Sequence, residues 1–392
     1  MKSDGDQISI AAEIELDNRL SNLPSSLWYR FPAKYEAYLS PRADGFAATS
    51  LTLAMYNGED LEIRGPISPK LAYNLYEFRQ IFHTWLPNLF QMVEIRYDQL
   101  AEPPPLKSGG GVAAAFSGGI DSFFTLWSHL PENQPILDAQ ITHGIFAYGL
   151  DPHVEDKESY QIAFAEYAQI FDSLGLDLIS VQTNAYLFAQ FRINWIYFFG
   201  QPLIGAVQML SPFLRRFYVP SGFTYSDNVL QGSSPLTDHL LSTERLDVIH
   251  HGASTGRIDK LKTVANWPVT HHKLRVCTNK KETYGLQNCS SCDKCIRTIV
   301  TLSLLEALPK YNNFNSKISL WSYLKWGLTN SIYVTQARST QKYSIESGKL
   351  GVAIMIQIAI WLSWFRKFAV ALFKKLLTAD QLYRLKRKVY QS

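Results

Sequence analysis

Val112-Ala113-Ala114-Ala115-Phe116-Ser117-Gly118-Gly119-Ile120-Asp121-Ser122 is the stretch on which the reading of this chain turns. Its first five residues carry no charge and form a short apolar run, expected as a strand over Val112–Phe116. Two glycines then permit a tight turn, and the apolar spacing that follows predicts a helix over Ser122–Leu130. Strand, glycine turn and helix in this order form a phosphate cradle. Glycines let successive backbone N–H groups converge on an anion, and the helix adds its positive end. The hydroxyls of Ser117 and Ser122 add donors, and Asp121 is placed to cap the helix or to position a magnesium ion. The Gly-Lys-Ser/Thr ending of a Walker A loop is absent.

Working outward, strand and helix alternate after this stretch. Further strands are expected within Ile136–Tyr148 and at Leu176–Gln182, Phe217–Pro220, Leu246–His250 and Leu274–Cys277, with a helix at Lys157–Leu174. That alternation predicts an α/β fold with a doubly wound parallel sheet and ligands at the carboxyl ends of its strands. Before it, residues 1–100 read as an α+β domain. Strands are expected at Ala47–Tyr56, Leu61–Arg64 and Phe90–Ile95, Asn57-Gly58 as a hairpin turn, and Ser68-Pro69 as the start of a helix to Trp85. The proline and glycine runs of 101–111 read as a linker. The organisation expected is thus 1–100, a linker at 101–111, a nucleotide domain at 112–310 and a helical extension at 311–392.

All four cysteines, Cys277, Cys289, Cys292 and Cys295, fall within nineteen positions of a 392-residue chain. Disulfide stapling would scatter them, whereas a doubled CxxC with a fourth thiolate twelve positions earlier suits a closed tetrahedral zinc site of structural type. The start of the chain is acidic and lacks a signal-like apolar run, so a reducing cytoplasm is expected. The composition, 46% hydrophobic and 18% charged, is that of a folded globular chain. The formal charge is +4, but from Arg366 onward eight basic residues face only Asp380, giving a tail of +7 and a remainder of −3. The remainder shows no clear nucleic-acid-binding patch.

The loop Ser117-Gly118-Gly119-Ile120-Asp121-Ser122 resembles that of the PP-loop ATP pyrophosphatases. Combined with the later cysteine cluster, it resembles the 7-cyano-7-deazaguanine synthases over roughly residues 111–308. Tyr148-Gly149-Leu150 stands where family members carry Tyr-Gly-Gln. Ser221–Asp227 and Ser234–Asp238 partly match their substrate segments. The resemblance implies an adenine nucleotide alpha hydrolase-like fold and cleavage of ATP between its α and β phosphates. It also implies adenylation of a small-molecule carboxylate, attack by ammonia or an amine, and ATP, magnesium and zinc as cofactors. A nucleotide-binding subunit without catalysis, scaffolding at a membrane surface, is the alternative.

Arg257, Lys260 and Lys262 follow the small-residue loop Gly252–Gly256 and are candidates to neutralise phosphate charge, against a solvated basic helix face. Asp227 and Asp238 either orient substrate, bind metal or cap turns. His250 and His251 are candidate bases or phosphate donors, or structural histidines, and His143 and His153 lie around the end of the second strand. Leu350–Phe365 is sixteen residues without charge. As a helix it would reach about 24 Å, short of a bilayer core. It is therefore expected either to pack in a core or, with the basic tail, to lie peripherally on the inner face of an anionic membrane.

Overall fold

Strand and helix do alternate, but over a longer stretch than expected. The computed structural model describes residues 1–17, 23–107, 109–150, 157–190, 192–227, 229–277, 284–314, 320–328 and 331–376. The strands are β1 (Lys2–Asp4), β2 (Gln7–Glu13), β3 (Ser26–Pro32), β4 (Leu61–Ile67), β5 (Ile95–Leu100), β6 (Gly111–Ala115), β7 (His143–Tyr148), β8 (Asp177–Thr183), β9 (Leu214–Pro220) and β10 (Asp247–His251). The helices are α1 (Asp44–Asn57), α2 (Pro69–Trp85), α3 (Ile120–Ser128), α4 (Lys157–Ser173), α5 (Tyr186–Ala189), α6 (Gly200–Gln208), α7 (Arg257–Asn266), α8 (Asp293–Leu304), α9 (Leu320–Lys325), α10 (Ser331–Glu346) and α11 (Leu350–Leu376). The chain divides into two compact units, Met1–Lys273 and Leu274–Ser392.

In the first unit, one eight-stranded sheet runs in the order β1-β2-β3-β8-β7-β6-β9-β10. From β8 to β10 all neighbours are parallel, while β1, β2 and β3 join antiparallel through a short β3–β8 ladder, Tyr29 opposite Thr183. The side chains follow this division. In β3, Leu27, Tyr29 and Phe31 are buried and alternate with less buried neighbours, as a sheet with one packed face requires. In β6, Val112, Ala113 and Ala114 are buried in succession, as befits a strand flanked on both edges. The architecture is therefore α/β with a mostly parallel sheet.

Several expectations need correction. Ala47–Tyr56 is the body of α1, not a strand. Nearly every residue from Asp44 to Met55 is buried, so no polar face marks the helical period, and the run mimics alternation. Gly58 does not make a hairpin. It ends α1 in the left-handed conformation (φ 73°), its N–H donating to the Ala54 carbonyl at 2.8 Å. The strand expected at Phe90–Ile95 begins only at Ile95, as β5, and pairs parallel with β4 in a separate two-stranded sheet. The helix after Ser68 forms as expected, with Ser68 Oγ accepting the Leu71 N–H at 3.0 Å.

The boundary expected at 101–111 does not separate units. Lys107 N–H donates to Pro212 O and Gly111 N–H to Phe213 O, both at 2.8 Å, and β3 carries the first hundred residues into the main sheet. Proline and glycine content is a local signal, whereas membership of a sheet is decided by long-range pairing. Leu274–Cys277 pairs with no strand among the described residues; it belongs to the second unit, with the cysteines and the C-terminal helices.

Backbone contact between α1 and α6 fixes one side of the core. A Cβ on Gly205 would lie 2.2 Å from the Gly45 carbonyl oxygen. Gly205→Ala must therefore separate the helices, and we expect a loss of about 1–3 kcal/mol of stability. Urea denaturation measures it, and an unchanged midpoint would refute the close packing.

Candidate functional site

Three loops meet at the carboxyl ends of the parallel strands. One links β6 to α3, one follows β9, and one links β10 to α7. Strands β6 and β9 are neighbours, yet the chain proceeds from β6 outward to β7 and β8 on one side and from β9 to β10 on the other. Such a reversal of direction opens a crevice where open α/β sheets hold ligands.

The loop after β6 is built by its glycines. Gly118 has φ 74°, and a Cβ there would lie 1.7 Å from the Tyr167 hydroxyl, so both conformation and space require glycine. The Ser117 N–H donates to Ser122 Oγ at 3.3 Å, and Ser122 Oγ donates to the Gly119 carbonyl at 3.0 Å. Ser117 is exposed, with its Oγ 3.5 Å from that of Ser122. Gly119 is the N-cap, and no side chain caps α3, which leaves Ile120 and Asp121 in an uncapped first turn.

Asp121 neither caps α3 nor presents a free oxygen for magnesium. Its Oδ2 accepts from Arg257 Nη1 at 2.7 Å and its Oδ1 from Lys260 Nζ at 3.4 Å. Burial alone would raise this carboxyl, but the Arg257 and Lys260 cations outweigh it and hold it below the ordinary aspartate range. Lys260 is buried, which pushes its ammonium down against the opposing pull of Asp121. Its Nζ also donates to the Ser221 carbonyl at 2.6 Å and lies 5.7 Å from the Phe124 ring centre. Arg257 and Lys260, one turn apart, are thus brought to the loop. Lys262 is not, because two residues on it falls about 200° around α7 and is exposed. Two cations against one carboxylate leave one positive charge beside an uncapped helix start, an arrangement suited to an anion.

The other candidates separate. His250 and His251 point to opposite faces of the sheet, as successive strand residues do. His250 Nδ1 lies 2.8 Å from Asp238 Oδ2, and the same carboxylate accepts from Ser233 Oγ at 2.7 Å and Ser234 N–H at 3.0 Å. Asp227 is exposed and engaged in its own turn, accepting from the Thr224 N–H and hydroxyl. His143 opens β7, level with Ala113 of β6, at the far end of the sheet from the loop. His153 lies outside the described residues.

His251 Nδ1 lies 3.0 Å from Thr125 Oγ1 of α3, and its ring is 4.4 Å from that of His129, which donates to the Thr125 carbonyl. Burial first, then the positive charge of neighbours, pushes His251 down to about 3; burial likewise lowers His129. A histidine whose pKa falls on folding stabilises the fold fully above its unfolded value of about 6.5. That stabilisation is lost as pH falls from there toward 3. We expect unfolding free energy to decline over this interval, and the decline to flatten in His251→Gln, as denaturant titrations at several pH values would register.

In the second unit, Cys277, Cys289, Cys292 and Cys295 place four sulfurs within 4.8 Å of one another. Tetrahedral coordination at a zinc–sulfur distance of about 2.3 Å needs sulfurs about 3.8 Å apart. Cys289 Sγ and Cys295 Sγ are 3.8 Å apart. Cys289 N–H points to Cys277 Sγ at 3.5 Å, and Cys292 N–H and Ser291 Oγ–H point to Cys289 Sγ at 3.3 Å. Mutual hydrogen bonding among the thiols holds Cys277 up at about 11 and raises Cys295 too. Four thiolates this close require a cation to neutralise them. The cluster can therefore hold a metal ion such as zinc.

Sequence reasoning missed the parts that position these groups. Asn288 Oδ1 accepts the N–H groups of Val276 and Cys277 at 2.9 and 3.1 Å, and its Nδ2 donates to Leu274 O. This side chain replaces the strand partner expected for Leu274–Cys277. Tyr167, Thr125 and the Ser221 carbonyl were equally silent, since nothing in their local pattern marks them. Compared with protein-family models, curated proteins and solved structures, the chain matches none.

Purified chain grown with zinc should carry about one zinc per molecule by elemental analysis, and Cys292→Ser less than about a tenth of that. Equal zinc in both would remove the cluster as a metal site.

Proposed function

We propose that this chain is an ATP-dependent ligase of the PP-loop pyrophosphatase type, with a doubly wound, adenine nucleotide alpha hydrolase-like sheet and structural zinc on its four cysteines. The observation that carries this reading is the meeting of the Ser117–Ser122 loop with Arg257 and Lys260 beside the β6–β9 reversal. The loop N–H groups after Ser117 and the Ser117 hydroxyl hold the β and γ phosphates, while Ser122, its hydroxyl given to the Gly119 carbonyl, shapes the loop. The substrate carboxylate oxygen attacks the α phosphorus, the α–β bridging bond breaks, and pyrophosphate leaves with its new charge facing Arg257 and Lys260. Ammonia or an amine then attacks the acyl carbon, loses a proton and displaces AMP, giving an amide.

Magnesium accompanying the nucleotide is assigned no ligand here, because both oxygens of Asp121 are engaged by cations. Charge neutralisation falls instead to the two side chains. The resemblance to 7-cyano-7-deazaguanine synthases sets the first acid to try. With ATP, magnesium, ammonium and 7-carboxy-7-deazaguanine, mass spectrometry should detect AMP, pyrophosphate and an amidated or nitrile product. Lys260→Met should lower pyrophosphate release by roughly 10²–10³-fold. If neither AMP nor an adenylated acid forms, the deazaguanine assignment fails. If Lys260→Met releases pyrophosphate as fast as the wild type, the role given to the cations fails.

A further inference from the structure

One face of α11, in the second unit, is apolar and largely exposed. Leu350, Ile354, Trp361, Trp364, Phe365 and Phe368 are each about 60% exposed. At 100° per residue they fall within an arc of about 100°, one continuous stripe. Gln357 lies within that arc, its amide oxygen accepting from Gln341 of α10. The opposite face, with Ala353, Ile356, Ala359, Ile360 and Ser363, is buried against α9 and α10. α11 therefore has two apolar faces, only one of which is buried among the described residues of the second unit.

The helix is also longer than its uncharged run. Among the described residues, Leu350–Ala369 is the one stretch long and apolar enough to cross a membrane by length and composition, yet only 28% of it is buried. The helix thus extends beyond the uncharged run, and the core packing expected for it holds for one of its faces. Crossing is opposed by its polar bonds. Ser363 Oγ donates to the Trp326 carbonyl, Gln341 bonds to Gln357, and Arg366 donates to the Leu324 carbonyl at 2.5 Å. A helix tied along its length to other helices by such bonds cannot leave them for hydrocarbon without leaving polar groups unsatisfied.

We propose that α11 docks lengthwise on an anionic lipid surface, its stripe seated at the level of the headgroups. Two features of the stripe fit lipid rather than protein. Trp361 and Trp364 place indole rings where a ring with one polar edge is favoured, at the boundary between hydrocarbon and headgroup. Charge follows in the sequence. Arg366 and Lys367 are exposed but fall about 150° and 110° from the middle of the stripe, so the charge offered to an anionic surface is that of the sequence beyond them, Lys374, Lys375, Arg384, Lys386, Arg387 and Lys388, with only Asp380 opposed. A polybasic segment next to an apolar stripe supplies the second of the two attractions that stable peripheral attachment needs.

The full, zinc-loaded chain should sediment with phosphatidylcholine vesicles containing phosphatidylserine, and roughly tenfold or more weakly with phosphatidylcholine alone or at high salt. Replacing Trp361, Trp364, Phe365 and Phe368 by Ser should reduce binding by at least about tenfold. These side chains are exposed, so circular dichroism and zinc content should match the wild type. A second variant, Lys386→Glu with Lys388→Glu, should weaken binding only to the anionic vesicles. No sedimentation with either vesicle overturns the proposal, as does attachment that survives salt and alkaline carbonate and yields only to detergent, which marks a span. A wild-type dimer that the serine variant makes monomeric, without lipid binding, would assign the stripe to a second copy instead.

Discussion

Asp121 sits largely buried between two cations, and the geometry of the first unit's crevice depends on that placement. A buried carboxylate is stable only when opposite charge and hydrogen bonds replace the water it loses. Arg257 and Lys260 provide both, from the first turn of α7 to the first turn of α3. The two helices start from the ends of different strands, so the triad fixes the loop after β6 relative to the loop after β10. Lys260 extends the tie to the end of β9 through the Ser221 carbonyl. One ammonium therefore joins three strand ends.

Much of this could be read from the sequence, for a physical reason. A glycine loop between strand and helix uses consecutive residues, so its spacing shows directly, and the structure adds only the cause of the Gly118 requirement, the hydroxyl of Tyr167. The cations were narrowed rather than found. Spacing along α7 separates Lys260 from Lys262, but only the burial of one face decides which of them meets Asp121. Asp238 illustrates the opposite limit. Its three partners, His250, Ser233 and Ser234, come from a strand and a turn whose meeting no local pattern announces.

The errors share a cause. α1 is buried on nearly all sides by α2, α6 and β4, so its sequence has no polar stripe from which a helical period can be counted. The boundary at 101–111 was read from composition, yet what places residues 1–100 in the first unit is the pairing of Tyr29 and Arg30 with Thr183 and Gln182, more than 150 positions away. Likewise, Leu274–Cys277 has strand-like residues without a strand, because Asn288 satisfies its backbone. Long-range partners decided each case, and hydropathy patterns report only short-range ones.

In the second unit, the four-cysteine cluster and the helical core share one element. Cys292 is the N-cap of α8 and Cys295 lies in its first turn, while Ile296, Val300 and Leu304 of the same helix pack with Trp326, Ile356 and Ile360. Asp293, between the two cysteines, accepts the Trp326 indole N–H at 2.6 Å. Burial raises its carboxyl, against the lowering pull of Arg297 and of that bond. The start of α8 is thus fixed from two sides, by sulfur geometry and by the tryptophan. A cation on the cysteines would neutralise the charge that four converging thiolates would otherwise place beside Asp293. It would stabilise the helix against which Ala337 of α10 and Ile356 and Ile360 of α11 pack, and so the platform from which the exposed stripe of α11 projects.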